Sequence, residues 1–263
     1  MWLTYAGMRV PLVCWALAVL LPMLWMFIGS FKSNAEIYRN PWGFPEIFNG
    51  TNYVNAWTDY SIGTSMLNSL VITLGSAALA LLLAIPTAFA IERIPFKGSR
   101  VLFTLYISAM MIPLVLGWIP LFFLLRNMGL LDNLLGLTII YAVGQLPFSI
   151  FILTSFMSTI PKSMEEAAAI DGMSPFGVLW KIIVPLSMSG IITVTIMNAI
   201  HFWNEYFMAL IFLDSRPNYT LALAIDYISS EAQYTNAWGT LFASLVFATI
   251  PVIAFYALFQ HRI

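Results

Sequence analysis

The sequence predicts an all-α polytopic bundle that crosses a lipid bilayer six times. Of 263 residues 60% are hydrophobic and 9% charged, the mean hydropathy is +0.87, and several uncharged stretches are long enough to span hydrocarbon. A soluble domain would carry roughly a quarter of its residues as charges. Lipid offers no partner for backbone polar groups, so apolar stretches of about 20 residues have to be helices. The net charge of -1 gives no signature of nucleic-acid binding. The single Cys14, set in an apolar run, excludes a disulfide framework and a Cys-ligated metal site. No internal repeat or low-complexity run breaks the chain, which is read as a single domain, 1–263.

The first span is placed at Val10 to Phe31. It is too long for a signal peptide and lacks a small-residue cleavage site after it, so it is expected to be retained. A loop from Lys32 to Thr64 follows, with NPWGFPEIFNGTNYVNAW at its centre, whose Pro, Gly and aromatic content suits an ordered lid on the outer surface. Spans two, three and four are placed at Ser65 to Ile91, Val101 to Leu125 and Leu134 to Ile160, and spans five and six at Ile182 to Leu213 and Ala232 to Phe259. Only the fifth contains a formally charged side chain, Glu205. With the N-terminus inside, Arg9, Arg93, Lys97, Arg100, Lys162, Lys181 and Arg262 lie on the inner face, and Lys32, Arg39, Arg126 and Arg216 on the outer one. That split favours N-in and C-in and puts the loop between spans four and five, residues 161–186, in the cytoplasm.

That loop is the most informative segment. Ser163 with Glu166 three places on fits a capping box, so a helix is expected from Met164, with Glu165 and Glu166 in a first turn that favours negative charge. Ala167, Ala168 and Ala169 combine helix propensity with little bulk, and Gly172 closes the helix as a left-handed cap. Ser174 then caps a second helix with Pro175 at its first position, running through Phe176, Leu179, Trp180 and Ile183 towards Pro185. A loop helix resting on headgroups would show a face rich in Lys and Arg, and this one is acidic.

Polar groups inside spans are the next candidates, because hydrocarbon penalises them unless they face a cavity or a partner. Asn198, His201, Trp203, Asn204, Glu205 and Tyr206 gather towards the outer half of span five, and helical spacing puts Asn198, His201 and Glu205 on one face. Two readings stand. In one, Asn204 and Glu205 meet solute hydroxyls while Trp203 and Tyr206 offer flat surfaces to a sugar ring. In the other, Trp203 and Tyr206 belong to the interfacial aromatic belt and Glu205 is at the outer boundary, solvated or paired to a partner subunit. Gln145, beside Pro147, and Asn68 are read as lining a kink or bonding between helices. Prolines 22, 86, 113, 120, 147 and 251 permit bends, the many methionines are adaptable packing, and His261 is expected to be solvated.

Glu166-Ala167-Ala168-Ala169-Ile170-Asp171-Gly172, followed by Ile182 and Val184-Pro185-Leu186, resembles the EAA loop of binding-protein-dependent ABC importer permeases. Asn68-Ser69, Pro161, Trp203-Asn204-Glu205-Tyr206, Trp238-Gly239, Pro251 and Phe259-Gln260 resemble the carbohydrate-uptake branch, in particular its smaller, maltose-type permease subunit. The resemblance implies a coupling helix that docks on a cytoplasmic ATPase, with Glu165, Glu166, Ala167, Ala168, Asp171 and Gly172 at the contact. Glu166 would pair there with a basic residue. It also implies a prokaryotic plasma (inner) membrane, a second homologous permease, two ATPase subunits and an extracytoplasmic solute-binding protein. No GxxxxGK[ST] phosphate loop is present, so ATP and magnesium belong to the partner subunits; the chain itself needs no cofactor and is not an enzyme. Chains of this branch continue past the last span with a Gly-rich tail, whereas this one stops at Gln260-His261-Arg262-Ile263, which puts any contact made by such a tail in doubt. The expected cargo is a sugar or oligosaccharide; a polyol or glycerol phosphodiester is the alternative. An ion-coupled secondary transporter would show more intramembrane acids and an internal repeat.

Overall fold

The computed structural model describes the backbone of residues 2–259 and the side-chain environments of residues 9–257. The expectations for Gln260, His261, Arg262 and the short tail lie outside the described residues. Among the described residues every regular element is helical. In chain order they are α1 (Trp2–Gly29), α2 (Asn34–Arg39), α3 (Thr51–Thr58), α4 (Ile62–Arg93), α5 (Ser99–Met111), a 3-10 turn (Leu114–Gly117) and α6 (Trp118–Asn127). Then come α7 (Leu134–Gly144), α8 (Leu146–Ser158), α9 (Ser163–Ile170), α10 (Pro175–Val178), a π turn (Leu179–Ile183) and α11 (Val184–Leu186). The last described elements are α12 (Met188–Asn204), α13 (Phe207–Phe212), a 3-10 turn (Arg216–Asn218), α14 (Leu221–Thr235) and α15 (Trp238–Phe259).

Among the described residues three helices are continuous and apolar enough to cross a membrane, Arg9–Gly29, Ile62–Arg93 and Trp238–Ala257, and three bent pairs bring the number to six if each pair is one crossing. The bends are 95° between α5 and the segment Leu114–Asn127, 44° between α7 and α8, and 76° between Pro175–Leu186 and α12. Each has a proline beside it. Pro113 forces Ile112 out of the helical region (φ -87°, ψ 120°) and ends α5. Pro147 follows the Gln145 joint, and Pro185 precedes Ser187, whose ψ of 8° breaks the last bend. Pro22, Pro86 and Pro251 remain inside continuous helices, and Pro120 sits in the first turn of α6, so only part of the proline set marks breaks. The last long helix begins at Trp238, later than the expected Ala232, because Asn236 takes a left-handed φ of 59° and separates α14 from α15.

The chain divides into two compact units. One comprises the chain up to Met66 together with Leu221–Ala254. Here the loop after α1 is folded, with Ser33 capping α2 through the Glu36 amide. Lys32 is buried and its ammonium donates to the carbonyls of Asn40 and Pro41 at 2.8 and 3.3 Å. Trp25 Nε1 donates to Pro41 O at 2.7 Å, and Asn52 Nδ2 to the carbonyls of Ser30 and Lys32, each at 2.8 Å. Tyr38 donates to Asn236 Oδ1 at 2.8 Å and accepts from Trp238 Nε1 at 2.7 Å, which joins α2 to the start of α15.

The other unit, Leu67–Thr220 with the residues from Phe255 onward, holds the main core. Ala84, Ala88 and Phe89 of α4 pack with Ile150, Leu153 and Met157 of α8, Val194 of α12, and Val178, Leu179 and Ile183. A small residue brings α8 and α12 close, as expected where lipid gives no hydrophobic drive to association. A Cβ on Gly190 of α12 would lie 2.5 Å from the Phe156 ring of α8, and Ser76 Oγ donates across to Thr138 O at 3.1 Å.

Candidate functional site

The loop between α8 and α12 forms an elbow. Its first helix does not start as the capping-box pattern suggests. Lys162 is already helical (φ -61°, ψ -27°) and its carbonyl accepts from the amides of Glu165 and Glu166, both at 3.0 Å. Ser163 therefore falls inside the first turn, no side chain caps the helix, and the Ser163–Glu166 box does not form. The other end follows expectation. Gly172 has a φ of 78°, its amide donates to Ala169 O at 3.0 Å, and the Met173 amide donates to Ala168 O at 2.9 Å. This paired pattern is a Schellman cap, and the left-handed residue at its centre favours glycine. Ser174 then caps α10 by accepting from the Gly177 amide at 3.2 Å, with Pro175 at the first position.

The two faces of the elbow differ. Ala168 is 6% exposed and belongs to the core cluster with Val178 and Leu179, so its small side chain lets α9 settle onto its own chain. That differs from the expected contact with a partner. Glu166, Ala167, Ala169, Asp171 and Gly172 are exposed, and beside them Ile170 and Phe176 present large apolar side chains at 87% and 73% exposure. Glu165 also turns inward. Its Oε1 lies 2.9 Å from Nη1 of Arg93, whose side chain is 2% exposed. Sequence reasoning used Arg93 only to count inner-face charges. The available signal was its position, a cation at the very end of a long apolar helix.

The polar run of span five does not lie on one helical face. α12 ends at Asn204, and Glu205 is extended (φ -70°, ψ 129°). Its carboxylate then reaches back to accept from the amides of Met208 and Ala209 at 2.9 and 3.3 Å, capping α13, and from the Tyr141 hydroxyl at 2.5 Å. Asn198 is fully buried and its Nδ2 donates to Ser149 Oγ at 3.0 Å, while Ser149 Oγ donates to Gln145 O at 2.9 Å. His201 and Asn204 are exposed, and Asn204 Nδ2 donates within its own helix to Ile200 O at 2.8 Å. Trp203 and Tyr206 are half-buried. Asn68 does bond between segments: its Nδ2 donates to Pro217 O and Tyr219 O at 2.8 and 3.0 Å. Gln145 lines a cavity of about 640 Å³ at the bend after α5, whose other walls are almost entirely apolar, among them Met110, Leu114, Leu124 and Phe148. Among the described residues no cluster of three or more His, Cys, Asp or Glu could hold a metal ion.

A second knot went unnoticed in the sequence. Asp132, at a left-handed φ of 51°, accepts on Oδ1 from the amides of Asp214 and Ser215 at 3.0 and 3.1 Å and from Asn218 Nδ2 at 3.2 Å. Burial alone would raise this carboxyl. The hydrogen bonds from the Ser215 side chain, the two amides and Asn218 outweigh it and hold the group at about 2.

The chain is similar to known proteins over nearly its whole length. The family model described as "Binding-protein-dependent transport system inner membrane component" matches residues 80–263. The chain is 34% identical to the diacetylchitobiose uptake system permease protein NgcG of Streptomyces coelicolor, over 96% of this chain and 83% of that one. It is 32% identical to the trehalose transport system permease protein SugB of Mycobacterium tuberculosis, over 93% and 89%. Among solved structures, it superposes with a TM-score of 0.85 and 27% identity on a chain of a bacterial ABC transporter involved in the import of the acidic polysaccharide alginate, covering 98% of this chain and 96% of that one.

Proposed function

The chain belongs to the family of binding-protein-dependent transport system inner membrane components, and from that premise we propose that it is one permease subunit of an ABC importer that brings a sugar or oligosaccharide into the cytoplasm. Such a chain is a transport subunit of the inner membrane. The carbohydrate class is supported by relatives whose names specify diacetylchitobiose and trehalose.

In this reading a second, homologous permease completes the pathway, and two ATPase subunits carry ATP and magnesium, since this chain has no phosphate loop. An extracytoplasmic binding protein delivers the solute. The observation that carries the reading is the elbow, packed against the core through Ala168 and turned by Gly172, with an exposed acidic and apolar face of Glu166, Ala167, Ile170, Asp171 and Phe176. That face is a docking surface whose exposed carboxylates suit a basic groove on the ATPase, and N-in orientation puts it in the cytoplasm. The solute passes by His201, Trp203, Asn204 and Tyr206, whose side chains keep exposed surface. Asn198, Gln145 and Glu205 instead shape the helices behind it through the bonds described above.

The test is reconstitution with the partner permease, ATPases and binding protein, followed by uptake of a labelled panel of chito-, malto- and gluco-oligosaccharides, a polyol and a glycerol phosphodiester. The expected result is saccharide uptake that stops without ATP, without the ATPases or without the binding protein. Uptake driven by an ion gradient alone would overturn the reading, and preference for the polyol or phosphodiester would move the cargo class.

A further inference from the structure

Arg93 ends α4 with its guanidinium withdrawn from water, its side chain 2% exposed. A buried charge persists only where its surroundings replace its hydration. Three groups from other elements do so here. Nη1 lies 2.9 Å from Glu165 Oε1 in the first turn of α9, and Nη2 donates to the carbonyls of Met157 and Ile160, the latter at 2.7 Å. Met157 is in the last turn of α8, where its carbonyl also accepts from the Ile160 amide at 3.1 Å, and Ile160 lies just beyond the electronegative helix end. A planar guanidinium presents its donors in a rigid fork, whereas an ammonium rotates its three donors about a single bond.

Resting on the functional reading above, we infer that Arg93 is a positioning residue that locks the register of α4, α8 and the elbow, so that force on the elbow reaches α4 as well as its chain neighbours. α9 is joined to α8 through a short link and to α12 through α10 and α11. α4 lies more than sixty residues away in sequence. The buried apolar cluster that Ala84, Ala88 and Phe89 share with Ile150 and Leu153 resists separation. It resists sliding far less, because hydrophobic contact is non-directional whereas hydrogen bonds are directional. The guanidinium supplies the missing axial constraint. Its Nε has no partner, and Glu165 Oε1 is held by charge with no aligned hydrogen bond, so the pinning comes from the two carbonyls and the ion pair together.

The test uses spin labels at Lys97→Cys, exposed just past α4, and Lys162→Cys, exposed at the start of α9, in a Cys14→Ser background and in the assembled transporter. Their distance is read by pulsed electron resonance without nucleotide and after trapping with ATP and vanadate. The distance is expected to stay the same to within about 2 Å, the scale of small helix shifts. Arg93→Met should broaden the distribution in both states and lower the stimulation of ATP hydrolysis by the binding protein about tenfold. Glu165→Gln, which keeps the carbonyl contacts, should give a smaller change in both readouts. A distance in the parent protein that shifts by clearly more on trapping, or an Arg93→Met distribution as narrow as the parent's, overturns the inference. If Arg93→Met does not assemble, Arg93→Lys is read by the same two criteria. Failure of the functional reading shows separately, as ATP hydrolysis indifferent to this permease. The nucleotide-free distance in the permease alone then still decides whether Arg93 holds the register.

Discussion

The Tyr141 hydroxyl donates to the Glu205 carboxylate at 2.5 Å, joining α7 to the gap between α12 and α13. The Tyr141 ring also stacks on Phe202 of α12, centroids 5.6 Å apart and 15° from parallel. One intramembrane acid is thereby both a helix cap and an interhelical acceptor, which accounts for its presence in a span without any appeal to solute.

Tyr141→Phe removes one buried hydrogen bond and is expected to cost about 1 kcal/mol. Glu205→Ala strips the cap from α13 and leaves that hydroxyl unpaired, a loss of about 2 to 4 kcal/mol. Thermal unfolding of the purified permease measures both. An unchanged melting temperature for Glu205→Ala, accompanied by lost uptake, would return Glu205 to the solute pathway.

Acid should loosen the Asp132 knot. Its folded-state carboxyl sits at about 2, below its ordinary 3.8, so its contribution is fully present above about pH 4 and disappears as the pH falls towards 2. Over that window the parent protein should lose melting temperature relative to Asp132→Asn, which is less stable at neutral pH and has no such carboxyl to titrate. Parallel melting curves for the two across the window would contradict the assignment.

At Gly172 a Cβ would meet nothing within 4 Å of its own chain, leaving only the strain of a positive φ, about 1 kcal/mol. Gly172→Ala and Gly172→Arg should therefore lower the melting temperature of the isolated permease alike. In the transporter they should diverge: uptake survives with alanine and fails with arginine, whose bulk meets the ATPase. Normal uptake by Gly172→Arg would remove the docking role.

Gly190→Ala should be costly despite its size, by about 1 to 3 kcal/mol, because the new Cβ meets the Phe156 ring at 2.5 Å. Adding Phe156→Ala should recover part of the loss, measurable as a coupling energy in a double-mutant cycle.

The sequence made local devices legible and hid long-range ones. The Gly172 turn and the Ser174-Pro175 cap were readable because each depends on a few consecutive residues. The Ser163 box failed because a single helical residue, Lys162, moved the cap one place upstream. Glu205 does not share a helical face with Asn198 and His201 because a projection onto such a face assumes an unbroken helix, and α12 stops one residue short of Glu205. Arg93 and Glu165, like Asp132 and Ser215, meet only after the bundle folds. No periodicity or spacing marks such pairs in advance.

The inward placement of Ala168 between two outward neighbours fixes how α9 is rotated about its own axis. Successive helical residues turn by about 100°. An insertion of one residue between Lys162 and Glu165 would place Ala167 in the buried position and turn Glu165 by about 100° away from Arg93. Insertions elsewhere in the cytoplasmic loops lengthen a tether, whereas here they change which side of the helix is presented.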